Sequence, residues 1–106
     1  KHYAPKANVI LSHASREKYL SYVNAHPVNA AALCYTEDKE FLSVPTVCYG
    51  NEKDPSEQAR ELFDALRRLD DLGVTTVFAR QPKLDGVGLA VYNRLIRAAG
   101  FEVLKL

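Results

Sequence analysis

The most constraining feature of this chain is a capped amphipathic segment that leads straight into an apolar one. Asp54-Pro55-Ser56-Glu57 combines a side-chain acceptor for a helix N-terminus, a proline suited to the first helical position and an acid three residues on, which predicts a helix start with a capping box. Ala59, Leu62, Phe63, Leu66 and Leu69 then recur at three and four residues, and Arg60, Glu61, Asp64, Arg67 and Arg68 face outward. Gly73 predicts a left-handed stop, and Val74 to Ala79, rich in β-branched residues, predicts a strand directly after it. A striped helix joined so closely to a strand buries its stripe on the face of a sheet.

The remaining chain repeats this alternation. Asn8 to His13 predicts a strand, and Ser15 to Asn24 a helix with Tyr19, Leu20 and Val23 on one side, closed by Pro27. Ala30 to Thr36 and Val44 to Tyr49 predict two more strands around a polar turn at Glu37 to Glu40, with Pro45 confining the second to an end, an edge or a bulge. Asp85 and Gly100 bracket a last helix before a strand over Phe101 to Leu106. The order β α β β α β α β predicts an α/β fold, a small Rossmann-like domain with a mostly parallel five-stranded sheet flanked by helices. Strand order stays open at this point, because the strand at Val44 to Tyr49 has the option of pairing antiparallel with its predecessor.

Composition narrows the function classes. At 106 residues the chain suits one domain, and its net charge of +1, with acids and bases interleaved, creates no field that calls for nucleic acid; RNA contact is not predicted. The apolar runs are too short to cross a bilayer, so no membrane role is expected. Cys34 and Cys48 lie in β-like segments without Cys-x-x-Cys spacing and are expected as buried, reduced thiols suited to a cytoplasmic protein. His2, His13 and His26 are scattered, so no metal site is expected. The chain opens on Lys1 and has no methionine, which suggests a piece of a longer polypeptide.

Gly86-x-Gly88 at a helix start raises phosphate binding, since glycines permit close backbone approach and the first helical N–H groups attract anions. The residues from Arg80 to Asp85 make too long a connection for a dinucleotide turn, Val91 replaces the third glycine and Asp85 would repel phosphate. Close packing of the helix start is the expectation at Gly86 and Gly88, and binding of a small molecule or nucleotide phosphate by a self-standing module at the Arg80 to Gly88 turn is the alternative. Asn93 and Arg94 are ordinary helix-surface positions with the option of meeting a partner. Tyr19, Tyr22, Tyr35 and Tyr49 are expected in packing. No Ser/His/Asp or Cys/His arrangement is defensible, no paired acids follow the first strand as in a phosphoacceptor domain, and catalysis by this segment is not expected.

Lys1-His2-Tyr3-Ala4-Pro5, Phe78-Ala79-Arg80, Gly86-Val87-Gly88-Leu89-Ala90 and Asn93-Arg94-Leu95-Ile96-Arg97-Ala98-Ala99 occur in an order that resembles the C-terminal domain of two-domain threonylcarbamoyl-AMP synthases over essentially the whole chain. The resemblance implies an interdomain linker over residues 1–7 and an α/β domain over residues 8–106. It implies that catalysis belongs to a YrdC-like domain, a nucleotidyltransferase that binds ATP, magnesium and threonine and uses bicarbonate, in the service of tRNA modification. The present segment then holds no cofactor and serves as a regulatory, substrate-enclosing cover. Lys1, His2, Tyr3 and Pro5 become linker residues facing the substrate cavity, and Arg80, Gly86, Gly88, Asn93 and Arg94 become interdomain contacts. Without that partner surface, the Lys1 to Pro5 stretch is expected to be frayed.

Overall fold

The computed structural model describes residues 3–106. Five strands, β1 (Asn8–His13), β2 (Ala30–Cys34), β3 (Thr46–Cys48), β4 (Thr76–Arg80) and β5 (Val103–Lys105), alternate with helices α1 (Arg16–Ala25), α2 (Pro55–Leu69) and α3 (Gly86–Ala98). Every strand pairing is parallel and the sheet order is β3-β2-β4-β1-β5. The mostly parallel, five-stranded α/β expectation therefore holds.

The order of the strands explains the layers. The step from β1 to β2 runs one way across the sheet, whereas the steps from β3 to β4 and from β4 to β5 run the other way. Right-handed crossovers then put α1 on one face and α2 with α3 on the opposite face. Two cores follow. Val9, Leu11, Ala31, Leu33 and Val77 meet Leu62, Leu66, Val91 and Leu95, while Ala30, Ala32, Cys34 and Phe78 meet Tyr19 and Val23. Strand β2 alternates between the two cores, so all five of its residues are buried, as in a strand covered on both faces.

The antiparallel option for the Val44 to Tyr49 segment is not realised. Its central residues pair parallel with β2, Ala32 with Thr46 and Cys34 with Cys48, after a 3-10 helix at Thr36–Phe41 replaces the expected turn. Pro45 stands just before this edge strand and uses only its carbonyl, which accepts from the Ala32 N–H at 2.9 Å.

Ser15 caps α1 by accepting from the Lys18 N–H at 3.2 Å. The α2 start departs from the expected capping box: Asp54 Oδ1 accepts from the Glu57 N–H at 3.0 Å, but Glu57 Oε1 reaches the Asn51 N–H at 2.8 Å instead of the Asp54 N–H. The chain before α2 doubles back, and the Asp54 N–H is already given to the Asn51 carbonyl at 3.1 Å. Gln58 is buried in the first turn of α2, its amide donating to the Asn51 and Glu52 carbonyls at 2.7 and 3.1 Å, which ties the same loop to the helix.

Candidate functional site

The connection leaving β2 goes outward to β3, and the one leaving β4 goes the other way to β5. In open parallel sheets, the crevice outside the carboxyl ends of two such strands is where ligands bind. Arg80 ends β4 at that place. Its Nη1 lies 3.1 and 3.2 Å from the two carboxylate oxygens of Asp38 and 3.1 Å from Glu52 Oε1, and its Nη2 lies 3.3 Å from Glu52 Oε2. The guanidinium sits over the Tyr35 ring, 4.9 Å from its centroid. Asp38 also accepts from Arg16 Nε and from the Tyr35 N–H, each at 3.0 Å. Arg80 is 7% exposed, so its charge is turned inward.

Three buried tyrosines flank this cluster, Tyr35 and Tyr49 in the core under α2 and α3 and Tyr19 in the core under α1. The Tyr49 hydroxyl donates to the Arg80 carbonyl at 2.5 Å and the Tyr19 hydroxyl to the Phe78 carbonyl at 2.6 Å, while the Tyr35 and Tyr49 hydroxyls lie 3.2 Å apart. Burial pushes all three hydroxyls above the usual tyrosine range. Burial works against the Arg80 charge, yet hydrogen bonding to Glu52 and the nearby Asp38 carboxylate outweigh it and hold the guanidinium above its ordinary value. The crevice is thus filled by the domain's own paired charges, with both Arg80 Nη atoms already bonded to carboxylates.

The Arg80 to Gly88 turn beside it is exposed from Lys83 to Val87 and packed closely at its two ends. Pro82 is buried, and a Cβ added to Gly88 would stand 2.5 Å from the Lys83 carbonyl oxygen, so only glycine permits this approach. Gly86 holds a positive φ of 54° with open space around it. Asn93 and Arg94 are exposed on α3.

Tyr3 lies in a second place. Its ring packs edge-on against Phe63 of α2, with centroids 6.0 Å apart, and its hydroxyl donates to Asp70 Oδ2 just past the end of that helix. The Lys6 N–H donates to Asp70 Oδ1 at 2.9 Å. Pro5 is buried, and Tyr3 and Ala4 border a groove of about 190 Å³ between α2 and α3 that includes Leu66, Arg94 and Arg97. The expected fraying of this stretch is therefore corrected for Tyr3 and Pro5: α2 and α3 supply an apolar seat and Asp70 takes two donors. Lys1 and His2 lie outside the described residues. Of the expected site residues, Tyr3, Pro5 and Arg94 are gathered on this helical side, and Arg80, Gly86 and Gly88 around the carboxyl end of the sheet.

The sequence reading missed Asp38, Glu52, Gln58 and Asp70. The three acids stand in polar stretches with no pattern to mark them, whereas a glutamine among the apolar positions of α2 was a detectable signal. Cys34 is buried with its thiol pushed up by burial, while Cys48 is only partly buried, because β3 is an edge strand. Among the described residues no group of three His, Cys, Asp or Glu is placed to hold a metal, and no helix is long and apolar enough to cross a membrane.

Fold and site together define an all-parallel α/β domain whose ligand crevice is closed by its own side chains and whose N-terminal strap is fastened to its helical face. Residues 1–100 match the family described as "Threonylcarbamoyl-AMP synthase, C-terminal domain", and the chain belongs to that family. The threonylcarbamoyl-AMP synthase of Pyrococcus abyssi is 33% identical over 112 residues, which is 100% of this chain and 32% of the relative. The chain thus spans about a third of the length of the curated relatives it matches. The crystal structure of P. abyssi Sua5 complexed with L-threonine superposes with a TM-score of 0.82 at 29% identity, covering 100% of this chain and 32% of that one. The C-terminal Sua5 domain from Pyrococcus horikoshii, solved as a chain of its own, gives 0.71 at 28% identity, covering 97% of this chain and 100% of that one.

Proposed function

We propose that this domain is the non-catalytic cover of a cytoplasmic two-domain enzyme. The partner is a YrdC-like catalytic domain that joins threonine, bicarbonate and ATP into threonylcarbamoyl-AMP and pyrophosphate, the first step of threonylcarbamoyladenosine modification of tRNA. Lys1, His2, Tyr3 and Pro5 form the strap over that domain's substrate cavity. A cation and a ring nitrogen there suit a nucleotide's phosphates, and the aromatic Tyr3 suits the exclusion of water from the reacting groups.

The observation that carries this reading is the fastening of Tyr3 and Lys6 to Asp70, because a cover must move together with the segment that closes the cavity. The crevice at Arg80 and the α3 start do not fit a magnesium nucleotide: Arg80 is paired with two carboxylates, and Asp85 stands before the α3 N-terminus where phosphate would approach. ATP and magnesium accordingly belong to the partner. Among the expected interdomain positions, Gly86, Asn93 and Arg94 are exposed and offer surface, while buried Arg80 and Gly88 act by shaping the turn behind them.

Titration of the chain with ATP and magnesium, with and without threonine, followed by addition of the YrdC-like domain, tests the proposal through amide chemical shifts. Silence toward nucleotide and shifts within the Lys1 to Pro5 segment with the added domain are expected. Saturable shifts from Arg80 to Leu89 with ATP alone would overturn the cover reading in favour of a nucleotide-binding module.

A further inference from the structure

We infer that Asp70 is the positioning residue of the strap, the group through which this domain sets where the strap lies over the partner's cavity; the inference rests on the cover reading. Asp70 directly follows the last residue of α2 and opens the short 3-10 turn Asp70–Leu72. Its half-buried carboxylate takes two donors from the strap: the Tyr3 hydroxyl on Oδ2 and the Lys6 N–H on Oδ1. The two donors bracket Pro5, whose ring fixes its own φ, so the segment between them has little freedom. Phe63 fixes the plane of the Tyr3 ring from the side.

This geometry gives Tyr3 a definite task. Its hydroxyl is engaged by Asp70, so it anchors the strap. Loss of the carboxylate leaves the cavity-facing residues in place in the sequence but unregistered in space, which weakens substrate enclosure without removing any reacting group.

The test uses the full-length protein that carries this domain, with steady-state pyrophosphate release measured against ATP and threonine. Asp70→Ala is expected to lower kcat/KM about tenfold, as for loss of hydrogen bonds to a charged group. Asp70→Asn should restore part of the loss, since its amide oxygen accepts one of the two donors. Tyr3→Phe combined with Asp70→Ala should be no worse than Asp70→Ala alone, because both remove the same contact. In the 106-residue chain alone, Asp70→Ala should speed hydrogen exchange at the Lys6 amide. Unchanged kcat and KM in Asp70→Ala, with or without a fall in Tm, would overturn the proposal, as would additive losses in the double variant. An active wild type with an indifferent Asp70→Ala removes this inference alone, whereas a wild type that makes no threonylcarbamoyl-AMP removes the cover reading and this inference with it.

Discussion

Replacing Asp38 by alanine removes the acceptor on which the carboxyl end of the sheet is built. The side chain is fully buried and receives Arg80 Nη1 at 3.1 and 3.2 Å, Arg16 Nε at 3.0 Å and the Tyr35 N–H at 3.0 Å. Breaking a buried ion pair on one side costs about 3–5 kcal/mol, because the other charge stays buried without its partner. Two features place Asp38→Ala at the lower end of that range. Arg80 keeps Glu52, and Arg16 is 30% exposed and regains water. The expected loss is about 3 kcal/mol, equivalent to a fall in Tm of roughly 12–24 °C for a domain of this size. Asp38→Asn should recover less than half of it, since one amide end turns N–H groups toward the arginines. Glu52→Ala is the internal contrast: that side chain is 40% exposed, and its removal should cost no more than about 1 kcal/mol. Urea unfolding of the three variants, followed by circular dichroism, measures these differences. A loss under about 1 kcal/mol for Asp38→Ala, or equal losses for Asp38→Ala and Glu52→Ala, would refute the idea that the cluster is a buried closure rather than a screened surface network.

Stability should decline in alkali. Tyr19, Tyr35 and Tyr49 are held above their ordinary value of 10.0, so their contribution is complete below that pH and is lost as the pH rises from there through their folded values. The slope reaches about 1.4 kcal/mol per pH unit for each tyrosine that ionises only on unfolding. Urea midpoints between about pH 9 and 11 check this, with Tyr49→Phe flattening the curve; a flat wild-type profile contradicts the burial argument. At the α3 start, Gly88→Ala should cost about 1–3 kcal/mol through its clash with the Lys83 carbonyl. Gly86→Ala should cost about 1–2 kcal/mol through its positive φ alone, since nothing crowds the site, and Gly86→Asn should cost less than Gly86→Ala.

Much of the fold was legible because its signals are local. The α2 stripe needed only spacing, and Leu62, Leu66 and Leu69 are all buried as that spacing required. The outward arginines and acids of α2 are exposed, and Gly73 adopts the left-handed conformation expected of a helix stop. The motifs from Lys1 to Pro5 and from Asn93 to Ala99 carried the family. The closure of the crevice was not legible. Asp38 and Glu52 lie 42 and 28 residues from Arg80, and each stands among other acids that look like solvated turn residues. The anchoring of Tyr3 was hidden for the same reason, since Asp70 is 67 residues away and Asp71 beside it looks no different.

The sequence by itself determined which segments are strands and which are helices, and that the sheet is mainly parallel, because hydrophobic periodicity and caps act within a few residues of one another. Only the tertiary structure decided the order β3-β2-β4-β1-β5, the direction of the edge strand and the partners of Arg80 and Tyr3. Those outcomes depend on the hand of the crossovers and on charges brought together over dozens of residues, and burial in one shared interior is what selects which acid meets which donor.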